Sequence, residues 1–370
     1  MNVLQICNHY EAPFLDVTRQ YAALFQGKNA SVTTVFLRGE YSRDVECAEI
    51  GDNVIFLNLT KKQVRGMKIE AIKRIKELNA KNEFDVCIAH RYHPIKIAIK
   101  SGDYPVFAVH HRYGTYSRWE RRFFINKHKK RLWLLNVSRS VRDETRSVLS
   151  SWPEEKIQAL YNHVDMNVLQ KGLRERDEAR HLLGMDEDIF VFSNVGRLHK
   201  DKDQETLIRA FAKALPFFER DAKLYIYGKG PLKVYLEKLS DELGVSGKVL
   251  FPGFVKDLSS LFKAFDSFVL SSDHEPFGMV LLEAMVAGVP VICSDCGGGR
   301  EVIGDSGLLF PLGDSDELSS RMIDMAALSM DELDQCRARQ RKRVVENFTD
   351  QVIQGEFWSR FGYIFSDLKD

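Results

Sequence analysis

Short apolar runs alternate with helical patterns at nearly every step of this 370-residue chain, and that alternation limits its fold more than any other feature. The runs in the first half are Val3–Cys7, Val32–Leu37, Val54–Leu57, Asp85–Ala89, Val106–His110, Leu134–Val137 and Ile157–Leu160. Those in the second half are Ile189–Val195, Leu224–Tyr227, Lys248–Phe251, Ser267–Leu270 and Val289–Cys293. They are almost continuously apolar rather than alternating, as parallel strands covered on both faces must be. Helical patterns such as Gln204–Leu215, Leu232–Leu243 and Met279–Ala287 fall between them. Repeated strand–helix–strand order predicts doubly wound α/β sheets, and the number of units predicts two of them. The polar stretch 171–188 places the expected boundary between a domain 1–170 and a domain 171–350. Ligands of such sheets bind at the carboxyl ends of the strands, so two facing domains would define one deep cleft.

Charge separates the two halves. Residues 1–170 hold 27 Lys and Arg against 18 Asp and Glu, whereas the remaining 200 hold 26 against 34. A basic first half suits an anionic partner. No apolar run reaches the about 18 residues that span a bilayer. The start MNVLQICNHYEAP lacks the basic-then-apolar order of a signal peptide, so a cytoplasmic protein is expected. Cys293 and Cys296 form a lone C-x-x-C. A zinc site needs four ligands and no second pair exists, so VICSDCGGG reads as a buried strand entering a turn.

The segment SFVLSSDHEPFGMVLLEAMVAGVPVICSD, residues 267–295, carries the densest chemistry. It reads as strand, loop, helix, turn and strand. The backbone N–H groups of Phe277, Gly278, Met279 and Val280 open the helix and form an anion site, with Gly278 permitting close approach. Glu275 in the loop and Glu283 in the helix are spaced to grip two hydroxyl-bearing parts of one ligand. Alternatively, both only complement the helix dipole.

With its surroundings, this segment resembles the E-x7-E signature of glycosyltransferase family 4, the group 1 glycosyl transferases. VGRLHKDK (195–202) looks like that family's phosphate motif, and LYIYGKGP (224–231) and FPGFV (251–255) like its nucleotide loops. GGGRE (297–301) fits its G-G-x-x-E turn, and YNHVD (161–165) is similar to its N-G-V-D linker. The resemblance implies the GT-B fold, two Rossmann-like doubly wound domains across a cleft, and a retaining, metal-independent hexosyltransferase. The first domain would bind acceptor and the second a UDP- or GDP-sugar. Gly196, Arg197 and Lys202 would clamp the donor diphosphate, with the two cations standing in for a metal. Glu283 would hold the ribose, Glu275 the transferred sugar and the charge developing at its anomeric carbon, and Phe254 and Val255 the base. No cofactor is expected. Three D-x-D pairs, Asp186–Asp188, Asp201–Asp203 and Asp314–Asp316, lie in turns or at helix starts, where aspartate caps.

In the first half, His110 ends the strand PVFAVH and matches the family's histidine, with His111 where the family has aspartate. It is expected either to touch the reacting sugar or to be a buried, satisfied histidine. The glycine pair usual after the first strand is missing, since NHYEAPFLD (8–16) holds no glycine. Residues 112–131 carry eight Lys and Arg, among them Arg118, Arg121, Arg122, Lys129 and Lys130, against one glutamate, with Trp119, Phe123 and Phe124 interleaved. They read as a peripheral contact with a membrane or phosphorylated glycan, or else as a solvated helix whose aromatics pack inward. No nucleic-acid motif accompanies them. The tail from about 351 to 370 has helical aromatic spacing, and by resemblance it crosses back to the first domain. The expected acceptor is an anionic glycan or glycolipid of lipopolysaccharide-core or other polysaccharide biosynthesis. A GT-B epimerase, a phosphorylase and an inert nucleotide-sugar-binding module are the alternatives.

Overall fold

The computed structural model describes residues 1–11, 14–48 and 50–366. The chain divides into two compact units, Met1–His163 together with the segment from Asp350, and Val164–Thr349. Each unit is built on one wholly parallel sheet.

The first sheet contains β1 (Asn2–Cys7), β2 (Ser31–Phe36), β3 (Asn53–Phe56), β4 (Val86–His90), β5 (Val106–His110), β6 (Leu132–Asn136) and β7 (Ile157–Ala159), in the order β3-β2-β1-β4-β5-β6-β7. Val3 stands opposite both Val32 and Val86, so the chain starts mid-sheet, winds out one way, then crosses to wind out the other. The order reverses between β1 and β4. The second sheet holds β8 (Phe190–Val195), β9 (Ala222–Tyr227), β10 (Val249–Gly253), β11 (Ser267–Leu270), β12 (Val291–Ser294) and β13 (Leu308–Phe310), in the order β10-β9-β8-β11-β12-β13. Its order reverses between β8 and β11. Such reversals leave a crevice at the strands' carboxyl ends, where doubly wound sheets bind ligands.

Continuous apolar sequence in the strands is matched by burial on both faces. One face of the first sheet packs Leu4, Ile6, Val35 and Ala108 against its crossover helices. The other packs Val3, Val32, Phe107 and Val109 against the C-terminal helix Asp350–Ser366. Phe357 and Phe361 of that helix each lie 5.3 Å from the Phe107 ring. A fully buried phenylalanine contributes about 1.5–3 kcal/mol, so this helix, together with Val17 and Tyr21 of the helix Phe14–Ala23, covers that face.

The division differs from the expected one. Residues 164–170 belong to the second unit, where Asp165 caps the helix Met166–Gly172 by accepting from the N–H groups of Asn167 and Val168. The polar stretch 171–188 also lies inside that unit. Its helix Arg176–Leu183 buries Arg180, whose guanidinium bonds Asp266 at 2.7 Å and the carbonyl oxygens of Ala264 and Ile189. A charge-rich sequence is thus a packed amphipathic helix with its buried charge paired. β13 had no counterpart among the predicted strands, being three residues long and only partly buried. Residues 367–370 of the expected crossing segment, and Ala12 and Pro13 of the glycine-free loop, lie outside the described residues.

Candidate functional site

Of the expected donor residues, Gly196, Lys202 and Glu275 come together at the crevice between β8 and β11. After β8 the chain runs through Gly196, Arg197 and a 3-10 turn at Lys200–Lys202 before the helix Gln204–Ala214. The Lys202 ammonium reaches the Glu275 carboxylate at 2.6 Å, although 73 residues separate them. Ser272 Oγ donates to that same carboxylate oxygen at 3.3 Å. The two loops are further stitched by Ser271 Oγ donating to the Lys202 carbonyl at 2.9 Å and the Asp273 N–H donating to the Asp201 carbonyl at 3.2 Å. Lys202 runs its aliphatic stem past Gly196, and Glu275 is 8% exposed. Arg197 is 69% exposed and pairs with Asp201 at 2.9 Å. Exposed pairs of this kind contribute about 0–1 kcal/mol, so Arg197 is free to swing to a ligand at little cost.

Glycine is required where the loops touch. Gly228 stands at φ 136°, and a Cβ there would lie 1.8 Å from the Gly196 carbonyl oxygen; one at Gly230 would lie 2.2 Å from that of Leu198. The turn after β12 closes in the same way, since a Cβ on Gly298 would lie 2.4 Å from the Pro276 carbonyl oxygen. Gly298 N–H donates to the Glu275 carbonyl at 2.9 Å. Three glycine-bearing loops therefore lock the position of Glu275.

Gly278 adopts φ 98° before the helix Met279–Val286, a conformation glycine reaches without strain. The first N–H groups of a helix have no acceptor within it and carry the positive end of its dipole. Phe277 is buried with its ring 5.8 Å from Phe348, leaving only its main chain to face a ligand. Met279, Val280 and Glu283 are partly buried. Phe254 is 66% exposed just beyond β10, with the Lys229 ammonium 5.9 Å from its ring, and Val255 beside it is partly buried.

The neighbouring motifs have local roles. Cys296 Sγ donates to the Ser272 carbonyl at 2.9 Å, Cys293 is buried, both are free, and burial pushes both thiols up. Asp314 caps the helix Ser315–Ala326, Asp203 caps Gln204–Ala214, and Asp186 pairs with Lys223. Among the described residues no group of three or more His, Cys, Asp and Glu is placed to hold a metal.

In the first unit, His110 is buried at the end of β5. It is 1% exposed, its Nε2 lies 2.7 Å from the Tyr116 hydroxyl, and burial lowers it to about 4. Its side chain shares a face of β5 with Ala108, which turns it into the core. His111 follows and is partly exposed, stacked on His90 with Nδ1 and Nε2 3.1 Å apart. Sequence reasoning passed over His9, His90 and Arg91, which lie at or just past the carboxyl ends of the adjacent strands β1 and β4. Of the basic stretch, Arg118, Lys129 and Lys130 are exposed and Arg122 partly so. Arg121 is engaged by the Thr115 carbonyl at 2.9 Å and the Tyr92 ring at 4.7 Å. Phe124 packs inward, whereas Trp119 and Phe123 are 67% and 69% exposed.

The family Glycosyl transferases group 1 matches residues 174–343, nearly the whole second unit. That unit is thus similar to the group 1 glycosyltransferases. An uncharacterized glycosyltransferase of Methanocaldococcus jannaschii is 40% identical over 177 residues, 46% of this chain and 44% of that protein. The N-acetyl-alpha-D-glucosaminyl L-malate synthase of Bacillus anthracis is 32% identical over 237 residues, 63% of this chain and 60% of its own. A lipopolysaccharide core biosynthesis glycosyltransferase of Rhizobium meliloti is 37% identical over 131 residues, covering 35% of this chain and 37% of its own. The chain thus spans between about a third and three fifths of these curated relatives' lengths. Likeness of fold extends across the chain's whole length. A glycosyltransferase from Rickettsia africae superposes with TM-score 0.83 at 15% identity over 99% of both chains. Anabaena Alr3699/HepE, solved with UDP and glucose, gives TM-score 0.78 at 20% identity over 98% of this chain and 99% of its own. The fold is therefore GT-B, two Rossmann-like α/β domains.

Proposed function

We propose that this chain is a group 1 glycosyltransferase, a retaining, metal-independent enzyme that moves a sugar from a UDP- or GDP-sugar to an anionic glycan or glycolipid. The observation that carries the reading is the Lys202–Glu275 contact at the switch point of the second sheet, beside a helix N-terminus. Lys202, Arg197 and the first N–H groups of the helix Met279–Val286 supply positive field to a leaving diphosphate, the work a divalent ion does elsewhere. Glu275, held by glycine-bearing loops, takes the sugar's hydroxyls and opposes positive charge at the anomeric carbon. Glu283 takes the ribose and Phe254 with Val255 the base. UDP binding by the Anabaena neighbour supports a nucleotide donor, and the Rhizobium relative supports a lipopolysaccharide-core or related polysaccharide acceptor.

Among the described residues no helix is long and apolar enough to cross a membrane. The exposed basic and aromatic residues at 118–130 fit a peripheral protein on the inner face of the membrane. A thermal-shift panel of UDP, GDP and their sugars, followed by transfer with and without EDTA, tests the proposal. Stabilisation by one nucleotide and transfer that survives chelation are expected. Transfer abolished by EDTA and restored by magnesium or manganese would overturn metal independence.

A further inference from the structure

We propose that the carboxyl ends of β1, β4 and β5 form a binding site for a dianionic group, a phosphomonoester or a dicarboxylate, carried by the acceptor. The word acceptor rests on the glycosyl-transfer reading; the anion site itself does not.

β1 and β4 flank the point where the first sheet's strand order reverses. His9 follows β1, His90 ends β4 with Arg91 next, and His111 and Arg112 follow β5. Arg91 holds φ 70°, a left-handed conformation that glycine would adopt more readily, so the side chain itself is what this position requires. Its guanidinium lies 4.1 Å from the centre of the Phe14 ring, and its Nε is buried without a hydrogen-bond partner among the described residues. Burial, and then the charge of Arg112, lower Arg91 to about 10. A buried guanidinium N–H without an acceptor is costly, and an oxyanion that accepts from it removes that cost.

The surroundings fix the charge of the ligand. Arg91 and Arg38 both press on His9, and the Arg38 N–H donates to the Asn8 carbonyl at 2.9 Å, placing a third guanidinium at the same strand ends. The nearby carboxylate is Glu11, 3.6 Å from His9 and 82% exposed. Three cations against one solvated anion suit two negative charges better than one. His90 Nε2 is also buried without a hydrogen-bond partner among the described residues, and His9 Nδ1 has only the 3.6 Å contact with Glu11 there. The 8–11 loop has no glycine, so this end of the sheet presents side chains where bare backbone would otherwise approach a ligand.

The test titrates the full chain with inorganic phosphate, L-malate and acetate, by calorimetry and, for phosphate, by phosphorus NMR. Saturable binding of phosphate or malate is expected, and the tighter of the two names the chemistry; acetate should bind far more weakly. Arg91→Gln should weaken the dianion about tenfold or more, as expected for losing a charged hydrogen-bond pair. Arg112→Gln, at an exposed position, should weaken it severalfold and decides the matter if Arg91→Gln fails to fold. Lys202→Gln, in the donor site, should leave it unchanged. The proposal is overturned if neither dianion saturates at millimolar concentration, if acetate binds as well, if both arginine variants bind like wild type, or if only Lys202→Gln loses binding. A protein that binds the dianion here yet never transfers sugar would sink the transferase reading alone.

Discussion

Glu275 is held by three kinds of contact at once: the Lys202 ammonium, the Ser272 hydroxyl and, through its own carbonyl, the Gly298 N–H. Such positioning is what a group acting on developing charge needs, because no reorganisation then opposes the reaction. Glu275→Gln keeps the shape and removes the charge. It should leave the melting temperature nearly unchanged and lower transfer about a hundredfold or more. Near-wild-type turnover would refute the assigned role. Gly228→Ala should act differently. Its Cβ would strike the Gly196 carbonyl oxygen at 1.8 Å and φ 136° would be strained, so both loops must move. Loss of nucleotide-induced thermal stabilisation together with lower stability is the expected result, and an unaltered nucleotide response would show that the loop contact is dispensable. The sequence revealed these residue types because glycines, a lysine and two glutamates occur at family spacing. It could not reveal that Lys202 and Glu275 touch, since that depends on strand order. Nor could it decide His110, whose fate depends on which face of β5 it occupies.

The helix Trp119–Lys127 shows how far an element can be read from composition. Its sequence announces a basic, aromatic-rich helix, and two outcomes fit: aromatics packed inward, or aromatics offered to a surface. The structure divides them. Phe124 and Ile125 anchor the helix, while Trp119 and Phe123, one helical turn apart, point outward beside Arg118 and Arg122. Exposed aromatics four residues apart with flanking cations are suited to the headgroup region of an anionic bilayer. Replacing Trp119 and Phe123 with serine should weaken binding to anionic liposomes without lowering the melting temperature, because neither side chain is in the core. Glutamine at Arg118, Arg122, Lys129 and Lys130 should weaken the same binding most at low salt, since each cation near such a surface adds about 1 kcal/mol that salt screens. Arg121 is better left in place, as it also holds the Thr115 carbonyl and the Tyr92 ring. Liposome binding indifferent to both sets would make this helix an ordinary solvated face.

At the scale of the molecule, two α/β domains were legible from the order of apolar runs, but the division between them was not. A charge-rich stretch can be a linker or an amphipathic helix, and at 171–188 buried Ala179 and the buried Arg180–Asp266 pair distinguish them. The C-terminal helix was legible from Phe357, Phe361 and Phe365; the polar latch at its start was not. Asp350 accepts from Arg19 at 2.9 Å and lies 2.7 Å from His163 Nδ1, while the His163 N–H donates to the Gln20 side-chain oxygen at 3.2 Å. Burial pushes Asp350 up, but the hydrogen bonds from His163 and Arg19 outweigh it and bring the carboxyl to about 2, against 3.8 in an unfolded chain. His163 is itself lowered by burial, so the charge partner is Arg19 and His163 serves as a neutral donor. Because the folded value is the lower one, the stabilisation is fully present above about pH 4 and is lost as pH falls toward 2. The shift corresponds to about 2 kcal/mol at most. Asp350→Asn should therefore be less stable than wild type near neutrality by roughly 1–2 kcal/mol. The difference should shrink steadily below pH 4 as the wild-type carboxylate protonates. Equilibrium urea unfolding of both proteins from pH 6 to pH 2 measures it directly. A gap that stays constant across that range would mean Asp350 holds the C-terminal helix by shape and not by charge.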